Sequence, residues 1–371
     1  MAAKSSTVDT NIINKIPAKK LKKLMHDPEL SAKAMHLRYV SDHQPGIERK
    51  GRAPNFKYFF KGEQIKDQEI LQRIKHLVIP PAWTNVWICE KDNGHLQVTG
   101  IDVRGRKQYK YHELWNALRN HTKFYRMIDF GKALPNIREQ VNKDLACKEL
   151  NERKILATVL SLMEQTNIRI GNEVYEKLYG SFGLTTMKNK HVTINGGTLK
   201  FSFKGKKGVE HVINLKNRKL ASIVQKTKEI PGKELFQYYD DNGNKHPIDS
   251  GMLNDYIKEI SGSNFTAKDF RTWAGTVNAF LSLKECGESE TASAIKKNIV
   301  TTLDKVAALL GNTRAVCKKY YIHPDVFNFY ENHTLRNYFK KYEQYLENKE
   351  NGLLSPEEEI IMAILQKAYH S

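Results

Sequence analysis

The chain has 371 residues, 40% of them hydrophobic, enough for real cores and too long for one ordinary small domain. Lysine and arginine number 60 against 41 aspartate and glutamate, a net charge of +19 that points to a polyanionic partner, nucleic acid first. The basic residues are not gathered on one amphipathic helix, which argues against a membrane surface, and no apolar run approaches the ~18 residues of a membrane span.

Residues 1–34 begin "MAAKSSTVDTNIINKIPAKKLKKLM", without the apolar stretch of a secretory signal, and read as a basic flexible tail or short helix. Residues 35–112 read as a small β-rich domain. "FKYFFKGEQI" offers two short runs around a Lys-Gly turn, and "HLVIPPAWTNVWICEKDNGHLQVTGIDVRGRKQYKYH" alternates apolar and polar residues with breaks at Asp-Asn-Gly and Arg-Gly. From 113 to 371 helical spacing dominates, as in "LACKELNERKILATVLSLMEQTN", "SGMLNDYIKEISG", "FRTWAGTVNAFLSLKEC" and "ASAIKKNIVTTLDKVAALLGN". "HVTINGG" and "TLKFSFKGKKGVEHVINL" interrupt them as a short β insert, whose two alternating runs around "KGKKG" read as a hairpin. The last helix opens at "SPEE", with Ser355 as N-cap, Pro356 in the first turn and Glu358 closing a capping box. The fold class is therefore α+β: a small β-rich N-terminal domain and a larger, mainly helical domain with an embedded hairpin, a shape suited to clamping duplex DNA.

The four cysteines, Cys89, Cys147, Cys286 and Cys317, form no CxxC pair. Neither a zinc site nor a disulfide framework is expected, and a reducing cytoplasm suits the chain. Cys317 lies among lysines, which is expected to lower its thiol pKa. The chain has no GxxxxGK[ST] loop, no HExxH and no obvious carboxylate cluster, so no nucleotide cofactor and no metal are expected.

Metal-free chemistry on a phosphodiester needs side chains for every role. Arginines stabilise the charge on the non-bridging oxygens, a lysine protonates the leaving oxygen, and a tyrosine stores the bond as a phosphodiester. Candidates follow one another along the chain: Arg169 in "TNIRIGNEVY", Lys206 in "FKGKKGVEH", Arg271 in "AKDFRTWAGT", Asn312 in "LLGNTRAVC", then Tyr320 and Tyr321 in "CKKYYIHP". Each alone reads more simply as a surface ion pair, a solvated lysine or a packed ring. His323, two residues past Tyr321, reads as the flank of a helix after Pro324 rather than a base. His191 and His211 read as strand or phosphate-contact residues beside the hairpin.

Taken together, "IRIGNEVYEKLYGSFGLTTMKNKHV", "GK" at 205–206, "KDFR" and "CKKYY" resemble the type IB DNA topoisomerases of the poxvirus and bacterial kind. The resemblance covers roughly residues 35–335. It implies a monomer that relaxes supercoiled double-stranded DNA without ATP or metal, through a 3′-phosphotyrosyl intermediate. It selects Tyr321 over Tyr320 as nucleophile, with Arg169, Lys206, Arg271 and Asn312 completing the catalytic set. "GRKQYKY" is similar to a DNA-contacting segment of that family, which implies DNA-binding roles for Arg106, Lys107, Gln108, Tyr109 and Tyr111. Lys318 and Lys319 join the positive field at the backbone. A cytoplasmic location, on the nucleoid in a bacterial host, accompanies the family. Two departures stand out: Asn312 occupies a position where many relatives carry histidine, and "GNTRAVC" replaces the Pro-Ser-Ile type of loop of the viral members. The alternatives are a tyrosine recombinase, whose usual His-x-x-Arg is here Lys268 to Arg271, and a non-catalytic DNA-binding protein on the same scaffold.

Overall fold

The computed structural model describes residues 23–24, 27–103, 105, 107–348 and 353–370. The reading of the first residues as a tail therefore lies largely outside the described residues, as does Arg106. Two compact units are resolved, Met1–Arg126 and Met127–Ser371. The boundary read from the sequence, between 112 and 113, falls instead at the start of the long helix Glu113–Ala146, and the units divide inside that helix.

The first unit is built on a six-stranded antiparallel sheet in the order β3-β2-β1-β4-β5-β6. The strands are β1 (Ile47–Arg52), β2 (Asn55–Phe60), β3 (Glu63–Gln64), β4 (Thr84–Ile88), β5 (Leu96–Ile101) and β6 (Lys107–Tyr111). The Lys-Gly turn is where the sequence placed it: Lys61 and Gly62 both have positive φ, 49° and 90°, as a two-residue hairpin turn requires. Helix Gln68–His76 covers one face, and Ile47, Ile74, Val86, Ile88 and Val98 form a core there. A second cluster joins helix Pro28–Ala34 to the start of Glu113–Ala146 through Ala32, Met35, Trp115 and Leu118.

In the second unit the expected β insert is a three-stranded meander, the "HVTINGG" stretch adding a strand to the hairpin. β7 (Val192–Asn195), β8 (Thr198–Lys204) and β9 (Glu210–Lys216) form an antiparallel meander, because Gly196–Gly197 makes a turn of its own before the expected one. Along β8 the side chains of Leu199, Phe201 and Phe203 are buried and those of Lys200, Ser202 and Lys204 exposed, the alternation of a one-faced sheet. The helical run from Leu145 to Asn167 is two helices, because Cys147–Asn151 break it before Glu152–Thr166.

The centre of this unit is helix Ala267–Cys286. Phe130 meets Phe265, Phe270 and Trp273 in edge-to-face contacts with centroids 4.9–5.9 Å apart. The last helix, Pro356–His370, is tied to it by a buried carboxylate. Glu358 closes the expected capping box through the Ser355 N–H, 2.9 Å, and also accepts from Trp273 Nε1, 2.8 Å, and from both ends of the Arg138 guanidinium at 2.7 Å. Burial opposes the charge on Glu358, but Arg138 outweighs it and holds its pKa below the ordinary carboxyl value. Among the described residues no helix is long and apolar enough to cross a membrane.

Glu358→Gln strips the charge that Arg138 and Trp273 face, with Glu164 still on Arg138, so the loss should sit at the low end of that for breaking a buried pair, ~3 kcal/mol in denaturant melts at neutral pH. A depressed folded pKa contributes stability only above the unfolded value, so the gap between wild type and Glu358→Gln should shrink as pH falls through the carboxyl range. Equal stability at neutral pH would remove this tie from the fold.

Candidate active site

Arg169 follows a helix that ends in a left-handed cap. Asn167 has φ 57°, and its N–H closes on Met163 O at 2.9 Å. The chain then runs on with Arg169 O and Ile170 O accepting from Leu184 N–H (2.8 Å) and Thr185 N–H (2.6 Å), which fixes the backbone under the arginine. Its Nη2 donates to Asn312 Oδ1 at 2.7 Å and to Gly311 O at 3.1 Å. An arginine cannot accept, so Asn312 turns its oxygen to Arg169 and keeps its Nδ2–H₂ as the donor end.

Arg271 lies on helix Ala267–Cys286 and is 6% exposed. Its Nη1 donates to Asn167 O and its Nη2 to Leu310 O, both at 2.6 Å. Its buried Nε–H has no hydrogen-bond partner among the described residues. Burial first, then the neighbouring Arg169, pushes its pKa down to about 10, with the Tyr321 hydroxyl pulling the other way. The guanidinium lies 5.4 Å from the centre of the Tyr321 ring. Both arginines are thus held by uncharged oxygens at the C-terminal ends of two helices, Glu152–Thr166 and Ala292–Leu310.

Tyr321 caps the short helix Arg314–Tyr320. Gly275 holds it close: a Cβ at that position would run into the Tyr321 carbonyl and meet its Cβ at 3.2 Å. Thr276 Oγ1 accepts from His323 N–H at 3.1 Å, pinning the residues just beyond. The nucleophile candidate and Arg271 are therefore both referred to one rigid helix.

Arg169, Lys206, Arg271 and Tyr321 line one cavity of about 380 Å³. Asn312 joins them through Arg169. Tyr320 is not part of that lining, and the Lys319 ammonium lies over its ring at 5.4 Å. Lys318 and Lys319 are exposed. His323 is buried, and its Nδ1 accepts from Asp325 N–H as N-cap of helix Pro324–Glu331, the role read from the sequence. His191 is buried against Phe182, with ring centroids 4.3 Å apart. Cys317 corrects an expectation: it is fully buried, and burial raises its thiol pKa despite Arg271 and Arg169 nearby.

Within the first unit, β6 divides the remaining candidates between two faces. Lys107, Tyr109 and Tyr111 alternate along one side. The two tyrosine rings stack at 6.1 Å, and Lys107 pairs with Asp42 at 2.6 Å. Tyr109 is exposed while Tyr111 packs partly into the Trp115 cluster. Gln108 points the other way and donates to Asp102 Oδ2 at 3.0 Å.

Comparison with known proteins gives the family. The family described as eukaryotic DNA topoisomerase I, catalytic core, matches residues 110–349, and the bacterial DNA topoisomerase IB N-terminal domain matches residues 55–102. The chain is 33% identical over 313 residues to DNA topoisomerase 1B of Acanthamoeba polyphaga mimivirus, covering 82% of this chain and 90% of that one. The chain belongs to the type IB DNA topoisomerases. It is also 24% identical over 263 residues to DNA topoisomerase 1B of vaccinia virus (strain Copenhagen), 68% of this chain and 79% of the viral one. DNA topoisomerase I of monkeypox virus shows the same 24% over 262 residues.

For a topoisomerase of this family the cavity holds one cation that sequence reasoning put to a different use. Lys268 also lines it, with Tyr175 and Phe182. The signal was present: Lys268 and Arg271 stand three apart at the start of one helix, hence on one face. Gly275→Ala should push the Tyr321 backbone off its helix while leaving the core packed. A shift of ~1 Å costs on the order of 10²-fold in rate, readable as single-turnover cleavage by a variant with wild-type circular dichroism. Unchanged cleavage would show that the contact does not set the tyrosine's position.

Proposed function

We propose that this topoisomerase relaxes DNA by a strand transfer in which Tyr321 is the nucleophile. The observation that carries the reading is the single cavity shared by Tyr321, Arg169, Arg271 and Lys206, with Asn312 bonded to Arg169. Tyr321 Oη attacks the phosphorus, an Oη–P bond forms and the bond to the 5′-oxygen breaks. Lys206 Nζ gives its proton to that oxygen, and the phenol proton leaves to water. Arg169, the spare Nε–H of Arg271 and Asn312 Nδ2 hold the non-bridging oxygens as charge grows on them. The phosphotyrosine keeps the bond energy, so the free end rotates and rejoins without ATP, and guanidinium charge stands where a metal would otherwise act.

Residues 113–371 act as the catalytic domain in this reading and residues 35–112 as the DNA-binding one, the pair closing as a clamp on duplex. Lys107, Gln108, Tyr109 and Tyr111 contact DNA from the first, and Lys318 and Lys319 add positive field from the second. The enzyme works as a monomer in the cytoplasm.

The test is covalent trapping: protein and supercoiled plasmid in EDTA without ATP, stopped with SDS. Wild type should give relaxed circles and a protein–DNA adduct. Tyr321→Phe should give neither, and Arg271→Ala should slow relaxation on the order of 10²–10³-fold. An adduct from Tyr321→Phe would move the nucleophile to another residue, and near-normal relaxation by Arg271→Ala would sink the assignment.

A further inference from the structure

His211 has no part in the chemistry above, yet it sits where three elements of the site meet. It occupies β9 opposite Phe203 of β8, on the inward face that carries Phe201 opposite Ile213 and Leu199 opposite Leu215. That alternation asks for an apolar side chain at position 211. The imidazole meets the apolar part of the demand by stacking on Phe203, with centroids 5.2 Å apart and planes 21° apart.

The ring also touches two glycines that belong to different parts of the site. Gly205 precedes Lys206, and a Cβ on it would lie 2.6 Å from His211 Cδ2 and 2.7 Å from Nε2. Gly311 precedes Asn312, and a Cβ on it would lie 2.9 Å from His211 Cε1. Gly311 O is the same carbonyl that accepts from Arg169. Gly205 in turn closes the hairpin tip, its N–H donating to Val209 O at 2.7 Å. The Nε2 end of the imidazole therefore bears, through Cδ2, on the hairpin that carries the lysine and, through Cε1, on the helix end that carries the asparagine and accepts from Arg169. Both neighbours lack the side chain that would keep the ring away.

We propose that His211 is a positioning residue, a wedge that seats the Lys206 hairpin against the Gly311–Asn312 helix end so that the lysine reaches the leaving oxygen. This rests on the reading of Lys206 as the proton donor. The charged groups around the ring agree with an uncharged wedge. Burial, then Arg169 and Arg271, push its pKa down, Glu210 alone pulls it up, and exposed Lys206 lies next along the cavity wall. The ring is thus neutral at neutral pH and adds no cation to compete for the phosphate.

The experiment compares leaving groups. Single-turnover cleavage is measured on a duplex with oxygen, and on one with sulfur, at the bridging 5′ position of the linkage mapped by SDS trapping. A thiolate leaves without a proton donor, so loss of the donor should show only on oxygen. Lys206→Ala should be slower on oxygen by on the order of 10²-fold or more and recover on sulfur to within about threefold of wild type. His211→Ala should show the same selective loss, about tenfold or more on oxygen, with near-complete recovery on sulfur. His211→Phe keeps a flat ring on Phe203 and should stay within about threefold of wild type on both substrates.

Gly205→Ala asks the same question from the hairpin side, should His211→Ala fail to fold. It should show the oxygen-selective loss, and the double variant should be no slower than the slower single, because both disturb the same contact. Equal loss on both leaving groups in His211→Ala, or none, overturns the proposal, as does full additivity with Gly205→Ala. If Lys206→Ala itself loses equally on both substrates, the reading of the lysine falls and this proposal with it. If Lys206→Ala recovers on sulfur and His211→Ala does not, only the proposal falls.

Discussion

A buried arginine with no carboxylate partner among the described residues is the constraint around which the second unit is arranged. Arg271 is almost wholly out of water beside a second guanidinium, and burial together with that neighbour weakens its hold on its proton. Pairing it with a carboxylate would be the usual remedy, at the cost of filling the place an anion should take. Here the charge is met by carbonyl dipoles. Leu310 O accepts from both arginines, Asn167 O from Arg271 and Gly311 O from Arg169. All three oxygens lie at helix C-termini, the negative ends of helix dipoles. The cluster is thus stabilised without a carboxylate that would cancel its positive charge, as the proposed phosphate contact requires. The orphaned Nε–H of Arg271 is the local expression of the same imbalance, a donor left for a ligand.

That solution dictates the surroundings. Two helices must end at the site, so each needs a residue able to turn the chain in the left-handed region, Asn167 for one and Gly311 for the other. The helix carrying Arg271 must not move, and its far side is fixed by Phe130 against Trp273 and by Trp273 donating to Glu358. The last helix, beyond the matched catalytic core, so acts as a brace on the arginine's own helix. Gly275 and Thr276 on that helix then set the Tyr321 backbone, which ties the proposed nucleophile and Arg271 to one frame.

Much of this was legible in the sequence, for reasons that differ by residue. The Lys61–Gly62 turn, the Lys206 hairpin tip, the Ser355 cap and the His323 flank rest on local chemistry, and local chemistry is what a sequence states directly. The five candidate site residues were nominated by residue type and order; their convergence needed the fold. The long helix Glu113–Ala146 was not singled out as one element, and it runs through Pro135, a residue that ordinarily breaks or kinks a helix interior. Cys317 was misjudged because the lysines beside it in sequence point away on an exposed face while its own side chain is buried. His211 read as a strand histidine, and nothing local could say that its two ring edges would meet Gly205 and Gly311, which lie six and one hundred residues away along the chain.

The same division explains which group needs outside help with placement. Arg169, Arg271, Asn312 and Tyr321 come from helix termini or helix faces whose backbones are fixed by the core. Lys206 comes from an exposed turn closed mainly by its own backbone bonds, Gly205 N–H to Val209 O and Gly208 N–H to Gly205 O. In the proposed role of proton donor, Lys206 must come within hydrogen-bond reach of one oxygen atom, and a lysine carries considerable rotamer freedom on its four-carbon stem. Fixing the turn beneath it removes part of that freedom before substrate arrives. A neutral, half-buried ring between two glycines can do this without adding charge to a site that, in the proposed mechanism, keeps its positive charge for the phosphate.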